Sequence, residues 1–361
     1  MARITLSKLR HSYLPAPAGP QDYALKEIDV TWKDGGAYAL LGPSGCGKST
    51  LLNIISGLLT PSEGQVLFDD QDVTALPPDR RNIAQVFQFP VIYDTMTVRQ
   101  NLAFPLRNRQ VDPARIEARV AEIAAMLEVD PLLDRRASGL SPDNKQKISM
   151  GRGLVRDDVN VVMFDEPLTV IDPHLKWKLR SKLKELHQRV KATMIYVTHD
   201  QTEALTFADE VVVMQDGEVV QIGTPVDLFE RPEHTFVGHF IGSPGMNLLS
   251  CGVGNGRAIV GGAEVAVANG EEAASTGGRL ELGVRPEFVR FAETGIPVRV
   301  SRVMDAGRYR IVETLTEGGE ILKLLIDNET GIPSEATHVS FDPANARIYS
   351  DGWLAGGSRA A

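Results

Sequence analysis

The sequence contains few cysteines and lacks long hydrophobic runs. Its 361 residues include two cysteines, Cys46 and Cys251, whose separation matches no metal-binding pattern. This favours a reducing compartment over a secreted, disulfide-stabilised fold. The amino-terminal stretch MARITLSKLRHSY has no apolar segment of signal-peptide length, and apolar runs such as LLNIISGLL are far shorter than the ~18 residues that span a bilayer. We therefore expect a cytosolic protein that meets a membrane through partners.

An excess of positive charge is also missing. The formal net charge of −9 argues against nonspecific nucleic-acid binding as the main activity. The hydrophobic share of 43% and the charged share of 24% are typical of a folded soluble protein. A chain of this length accommodates about two or three domains.

Short apolar runs alternate with helical patterns as far as about residue 240. The strand-like runs are AYALL (37–41), IAQVF (83–87), VVMF (161–164) and MIYVT (194–198). They are apolar on both faces, as buried parallel strands are, and helical patterns cover 115–128 and 174–190. Two strand-like runs around Asp216-Gly217 predict a hairpin. Beyond about residue 245, glycines and short alternating segments predict a small all-β domain.

The segment GPSGCGKST lies between a predicted strand and a helical pattern. Its spacing is that of a phosphate-binding loop, whose glycines let backbone N–H groups face a phosphate at a helix N-terminus. Lys48 is expected to contact the β- and γ-phosphates, and the Ser49 hydroxyl to bind Mg²⁺. A chance glycine-rich turn would not explain why both flanking elements also match. The predicted nucleotide-binding residues here are Gly42, Pro43, Ser44, Gly45, Cys46, Gly47, Lys48, Ser49 and Thr50.

Polar residues follow two further predicted strands. In VVMFDEP, Asp165 is expected to hold the magnesium ion and Glu166 to polarise the attacking water, because displacement at the γ-phosphate needs an oriented nucleophile. In YVTHD, His199 is placed to contact a γ-phosphate. Alone, the acidic pair would be interpreted as a strand end before a turn at Pro167, and the histidine as structural. The phosphate-binding loop upstream favours the catalytic interpretation.

These motifs, with VFQ (86–88), LSPDN (140–144) and VID (170–172) between them, resemble the ATP-binding cassette of ABC transporters. The resemblance covers about residues 1–240 and implies an α/β P-loop NTPase fold with a helical subdomain at about 89–155. It implies that ATP and Mg²⁺ are the cofactors. The roles implied for single residues are adenine stacking by Tyr13, sensing of the γ-phosphate and Mg²⁺ by Gln88, a partner-facing loop at Asp172, and a switch histidine at His199.

The remainder, 241–361, resembles the OB-like regulatory β domain of sugar and polyol importer ATPases. The stretches GTPVDLFERPEHTFVGHFIGSPGMNLL and LGVRPEFVRF carry this resemblance. Within that group, RNIAQVFQFPVIYDTMTVRQNLAFPLRNR and QKISMGRGLVR are most similar to one of the two ATPase subunits of a bacterial glycerol importer. The implied function is an ATP-hydrolysing, energy-coupling subunit, peripheral on the cytoplasmic face of the bacterial inner membrane. Its implied partners are a second ATPase, two transmembrane permease subunits and, indirectly, a periplasmic solute-binding protein.

The stretch LSPDN departs from the family signature L-S-G-G-Q, which faces the nucleotide of the partner cassette. Leu140 and Ser141 match, whereas Pro142, Asp143 and Asn144 replace two glycines and a glutamine. Pro142 has no N–H to donate to a phosphate. Asp143 adds a carboxylate that would repel the phosphate, because two unit charges ~4 Å apart repel by about 4 kcal/mol at a dielectric of 20. We therefore expect a heterodimer in which the second cassette supplies an intact signature. The alternative is that loop flexibility absorbs these changes.

Other functional classes fit less well. A cassette protein of translation or DNA maintenance usually carries paired cassettes or a long insertion, and this sequence has neither. A regulator that binds nucleotide without turnover would not need Glu166 and His199. A homodimeric ATPase of an sn-glycerol-3-phosphate or sugar importer stays open as the main alternative.

Overall fold

The fold consists of two units, one ending at Pro225 and the other beginning at Val226. The computed structural model describes residues 2–190, 192–333 and 337–357. The sequence-based boundary between 240 and 241 stays a prediction.

The strands of the first unit are β1 Ile4–His11, β2 Leu25–Trp32, β3 Ala37–Leu41, β4 Glu63–Phe68, β5 Gln71–Asp72, β6 Ile83–Val86, β7 Val161–Asp165, β8 Thr193–Thr198, β9 Glu210–Gln215 and β10 Glu218–Gly223. The helices along the chain are α1 Lys48–Ser56, α2 Val98–Arg107, α3 Pro113–Leu127, α4 Pro142–Leu154, α5 Pro173–Val190, α6 Gln201–Phe207, α7 Pro225–Glu230, α8 Thr235–Phe240 and α9 Gly270–Ala274.

A six-stranded sheet in the order β10-β9-β3-β8-β7-β6 forms the centre of this unit. Its strands are parallel except for β10, which pairs antiparallel with β9 through the turn at Asp216-Gly217. Both turn residues have positive φ, 48° and 81°, as a two-residue hairpin turn requires. Every residue of β3 and β8 is buried, which explains their uninterrupted apolar sequences. The parallel arrangement predicted from the sequence is therefore confirmed.

A second, antiparallel sheet has the order β2-β1-β4-β5. Its buried side chains share one hydrophobic core with α1 and the six-stranded sheet, represented by Leu6, Leu51 and Ile195. Arg81 is buried beside the end of α1 and donates to the carbonyl oxygens of Ile54 and Ile55 at 2.7 and 2.9 Å. A cation at this position stabilises the helix C-terminus. The helix is thereby held at the end opposite its phosphate-binding loop.

Helices α2, α3 and α4 lie between β6 and β7 in sequence and form the predicted helical subdomain. Gly151 of α4 permits their close approach, since a Cβ at this position would lie 2.5 Å from Leu102 Cδ2 and 3.0 Å from Leu127 Cδ1. The side chains of α2, α3 and α4 thus pack without space for a larger residue at the crossing.

The second unit is built mainly of strands. They are β11 Asn247–Ser250, β12 Gly252–Gly254, β13 Arg257–Val260, β14 Ala263–Ala266, β15 Leu280–Val284, β16 Val289–Ala292, β17 Ile296–Asp305, β18 Arg310–Thr316, β19 Ile321–Ile326, β20 Thr337–Phe341, β21 Ala346–Ser350 and β22 Trp353–Leu354. They form sheets in the orders β11-β15-β21-β22, β12-β13-β14 and β16-β20-β17-β18-β19 around a core of its own. The expected all-β architecture is confirmed.

Arg285 connects the helices of this second unit. Its side chain is 2% exposed, and its guanidinium donates to the carbonyl oxygens of Leu228, Phe229, Gly238 and Ile241. Burial lowers the pKa of the guanidinium from its usual value, although it stays positively charged. These bonds satisfy carbonyl groups in the last turns of α7 and α8 and at Ile241, which follows α8.

Candidate functional site

The phosphate-binding loop lies between the end of β3 and the start of α1. Gly47 precedes the helix with φ of 102°, and a Cβ there would lie 2.6 Å from Leu25 Cδ2 and 2.9 Å from the Ala24 carbonyl oxygen. A residue with a side chain would therefore clash and be strained. The loop leads into the N-terminus of α1, where the positive end of the helix dipole and the N–H groups of the first turn favour binding of an anion.

Lys48 is held inside this loop. Its Nζ donates to the carbonyl oxygens of Gly42 and Pro43, each at 2.8 Å, and lies 3.8 Å from Cys46 Sγ. The side chain is 5% exposed, so the cation is kept in place by backbone oxygens. Phosphate oxygens offer stronger, charge-assisted partners for the same ammonium group.

Glu166 lies immediately after β7, in a backbone conformation with φ of 45° that residues with side chains seldom adopt. Its Oε1 is 3.0 Å from His199 Nδ1, and its Oε2 is 3.4 Å from both Gln88 Nε2 and Thr169 Oγ1. The carboxylate therefore lies among groups from three segments of the chain. The three residues predicted to be catalytic, Gln88, Glu166 and His199, are thus brought together.

Asp165 is the last residue of β7. Burial raises the pKa of its carboxyl group, and the adjacent negative charge of Glu166 raises it further, whereas Lys48 lowers it. No group of three or more His, Cys, Asp or Glu side chains with metal-site geometry occurs in residues 2–190, 192–333 and 337–357. One carboxylate and the exposed Ser49 hydroxyl nevertheless fit Mg²⁺, which commonly combines few protein ligands with nucleotide phosphates and water.

Tyr13 lies beside the first turn of α1. Its hydroxyl is 3.0 Å from Thr50 Oγ1, its ring contacts His11 edge-on with centroids 4.7 Å apart, and it is 64% exposed. An exposed aromatic ring fixed next to a phosphate-binding loop has a free face available for a base. The geometry agrees with the adenine-stacking role implied by the resemblance, which stays a prediction.

The LSPDN segment begins α4. The Ser141 side chain caps the helix by accepting from the Asn144 N–H at 3.4 Å and from Asn144 Nδ2 at 3.1 Å. Pro142 occupies the first helical position. Asp143 Oδ2 is 3.4 Å from Lys147 Nζ, while Oδ1 is buried and has no hydrogen-bond partner among the described residues. The helix start is therefore stabilised by its own residues.

Asp172 caps α5. Its Oδ1 accepts from the His174 N–H at 2.9 Å, and its carbonyl oxygen accepts from the Leu175 N–H at 2.9 Å. Two contacts near these segments were not predicted from the sequence: Thr169 with Glu166, and Lys147 with Asp143. The sequence spacing could have indicated both contacts, because residues three apart in a turn and residues four apart on a helix lie close together.

The chain matches two known protein families. The family described as ABC transporter matches residues 25–169, and the MalK OB fold domain matches residues 242–289. The sn-glycerol-3-phosphate import ATP-binding protein UgpC of Paracoccus denitrificans is 39% identical over 360 residues, covering 96% of this chain and 99% of that protein. The chain belongs to the ABC transporter ATPases. The fold class and the ATPase activity predicted from the sequence are thereby confirmed.

Other similar proteins belong to the same family. The UgpC protein of Rhizobium meliloti is 38% identical to this ABC ATPase over 366 residues, covering 96% of this chain and 100% of that protein. A solved subunit of the Clostridium perfringens ABC transporter complex cbiONQ has a TM-score of 0.57 and 29% identity, covering 63% of this chain and 90% of its own. A dimeric ATP-binding cassette bound to ADP and Pi has a TM-score of 0.55 and 28% identity, covering 62% and 98%.

The ABC ATPase has no membrane-spanning helix in the part of the chain that the structure describes, since none there is both long and apolar enough.

Proposed function

We propose that this ABC ATPase is the energy-coupling subunit of a bacterial importer, bound peripherally to its permeases at the cytoplasmic face of the inner membrane. The observation that carries the proposal is the meeting of Gln88, Glu166 and His199 beside a complete phosphate-binding loop. Such a cluster is needed for hydrolysis, whereas nucleotide binding alone would not require it.

In this proposal the loop 42–50 binds the ATP phosphates, with Lys48 contacting the β- and γ-phosphates and Tyr13 stacking on the base. Asp165, Ser49 and Gln88 would hold Mg²⁺, which would supply charge neutralisation at the phosphates when bound. Glu166 orients and polarises the attacking water. His199, 3.0 Å from the Glu166 carboxylate, contacts the γ-phosphate and fixes the orientation of that carboxylate.

An exposed apolar strip supports permease docking. The strip consists of Phe87, Phe89, Val91 and Tyr93, which are 37%, 70%, 52% and 41% exposed. Arg152 contacts it, with its guanidinium 4.6 Å from the Tyr93 ring centre and Nη1 donating to the Val91 carbonyl oxygen at 2.6 Å. Exposed apolar side chains on a fixed backbone are typical of an interaction surface. The proposed partners are two transmembrane permease subunits and, through them, a periplasmic solute-binding protein.

Copurification from detergent-solubilised membranes tests this docking. Phe89→Asp should abolish recovery of the permeases, because it places a charge within the apolar strip. Val303→Asp, a change at a residue of β17 that is 44% exposed, should leave recovery unchanged. Equal recovery with both variants would contradict the docking surface.

The solute that we propose is glycerol, on the resemblance to glycerol importer ATPases. The names of the similar UgpC proteins favour sn-glycerol-3-phosphate as the second candidate. The complex purified with its neighbouring subunits should show ATP hydrolysis stimulated by the transported solute. Stimulation by glycerol supports the first candidate, stimulation by sn-glycerol-3-phosphate the second, and stimulation by a sugar such as maltose would contradict both.

The LSPDN segment supports a partnership with a different ATPase. In a homodimer of this chain, both composite sites would face Asp143 and lack the N–H donor missing at Pro142. A partner with a glycine-bearing signature would form one competent site with Lys48, Asp165 and Glu166. The other site, where Asp143 faces the partner's nucleotide, would be impaired. Lys147, 3.4 Å from Asp143 Oδ2, reduces the repulsion there without restoring the donor.

The subunit composition of the purified complex and asymmetric mutants test this partnership. Glu166→Gln should abolish nearly all turnover, whereas changing the corresponding carboxylate of the partner should have a much smaller effect. Pro142→Gly with Asp143→Gly should strengthen nucleotide binding at the impaired site. Two copies of this chain with two equally active sites would contradict the proposal.

A further inference from the structure

A short turn connects Glu166 to the loop that ends at Asp172. The Glu166 carbonyl oxygen accepts from the Thr169 N–H at 3.2 Å and lies 3.0 Å from Thr169 Oγ1. Because Glu166 has a positive φ of 45°, its backbone needs such partners to keep this conformation. The Thr169 hydroxyl thus belongs to the structure that fixes the direction of Glu166.

The same hydroxyl lies 3.4 Å from Glu166 Oε2. A hydroxyl carries one hydrogen, so it donates either to the carbonyl oxygen or to the carboxylate at a given moment. The other carboxylate oxygen is 3.0 Å from His199 Nδ1, and Gln88 Nε2 approaches Oε2 from a further segment. Thr169 therefore completes a set of three side chains around the carboxylate.

The neighbours of Thr169 are fixed. Leu168 is 0% and Ile171 is 3% exposed, whereas the Thr169 side chain faces solvent. Anchored residues on both sides leave little freedom to the backbone at Thr169. The Thr169 hydroxyl is therefore held beside the Glu166 carboxylate.

We propose that Thr169 is a positioning residue for Glu166, whose hydroxyl orients the carboxylate that polarises water. This inference deepens the proposed function and rests on it, because it needs Glu166 to act on the attacking water. Donation to Oε2 fixes the direction of the carboxylate, while donation to the carbonyl oxygen stabilises the turn.

Matched substitutions at Thr169 in the assembled transporter test the inference through basal ATP hydrolysis. Thr169→Val removes the hydroxyl with little change of shape. We expect kcat to fall about 10- to 30-fold and the KM for ATP to change by less than about twofold. A misplaced catalytic group lowers the rate more than it weakens binding. Thr169→Ser keeps the hydroxyl and should retain kcat within about threefold. Thr31→Val, at an exposed threonine of β2, is the control and should leave both constants unchanged.

A double variant separates positioning from a general structural effect. When Thr169→Val is added to the Glu166→Gln variant, the residual rate of hydrolysis should fall by no more than about twofold. The effects of two substitutions are not additive when one residue acts only through the other. Thr169→Ala replaces valine if the valine variant does not assemble. A valine variant with normal kcat, a serine variant as impaired as valine, or an additive loss in the double variant would overturn the inference. Absence of solute stimulation in the unmodified complex would count instead against the proposed importer function.

Discussion

Replacing Glu166 by glutamine removes one negative charge and keeps the shape of the side chain. The carboxylate is 20% exposed, with Oε1 3.0 Å from His199 Nδ1 and Oε2 3.4 Å from Gln88 Nε2. A glutamine amide can still form a hydrogen bond with the histidine, so the site should stay folded. It cannot accept a proton from water at neutral pH. The substitution therefore isolates the role of the charge.

The expected loss follows from the size of general-base catalysis. A positioned base contributes about 10²- to 10⁴-fold, or about 2.7 to 5.4 kcal/mol of transition-state stabilisation. ATP affinity should change less than about threefold, or about 0.7 kcal/mol, because Lys48 and the loop 42–50 are untouched. The rate and the affinity should thus respond very differently to one substitution.

Phosphate release measures kcat in the assembled transporter, and equilibrium binding of labelled ATP measures affinity. Glu185→Gln, at an exposed glutamate of α5, is the matched control and should behave as the unmodified protein. Hydrolysis by Glu166→Gln within about tenfold of normal, or an affinity loss as large as the rate loss, would refute the assignment of Glu166 as the water-polarising group.

Three further outcomes are expected. Lys48→Ala should weaken ATP binding about 10- to 100-fold by calorimetry, because charge-assisted bonds to phosphate are lost, and unchanged affinity would contradict its role. Asp165→Asn should raise the melting temperature of the nucleotide-free protein at pH 7. The pKa of the Asp165 carboxyl group is higher in the folded than in the unfolded protein, so its ionisation above the unfolded pKa of 3.8 destabilises the folded state. The difference in melting temperature between the variant and the unmodified protein should vanish below that pH. Equal melting temperatures at pH 7 would contradict this. Arg285→Met should cost about 3 kcal/mol of unfolding free energy in urea, because buried carbonyl oxygens lose their donor, and a loss below about 1 kcal/mol would contradict the structural role.

Local patterns determined much of the fold in advance. The run AYALL coincides with β3, and the helical pattern at 174–190 lies within α5. The hairpin at Asp216-Gly217 also formed as predicted, because its turn chemistry is contained in two adjacent residues. Such features depend on neighbours in sequence, so the sequence alone was sufficient to predict them.

The antiparallel sheet was not predicted. Strand β1 pairs with β2 and with β4, which come later in the chain. For example, Ile4 of β1 lies opposite Phe68 of β4. Register shifts interrupt both ladders, at Leu6/Leu9 and at Ser7/Arg10. A bulge changes which face a side chain occupies, so the alternation that indicates a strand is broken.

The phosphate-binding loop and the acidic pair at Asp165 and Glu166 were determined by the sequence itself, because their spacing and flanking strands suffice to predict phosphate chemistry. The surroundings of the Glu166 carboxylate were decided by tertiary structure. Gln88 follows β6, Glu166 follows β7 and His199 follows β8, and these strands are neighbours in the order β8-β7-β6. Strand order results from pairing between distant segments, which no local pattern records. Thr169 acquired its contact for the same reason, since only the folded turn brings its hydroxyl 3.4 Å from Oε2.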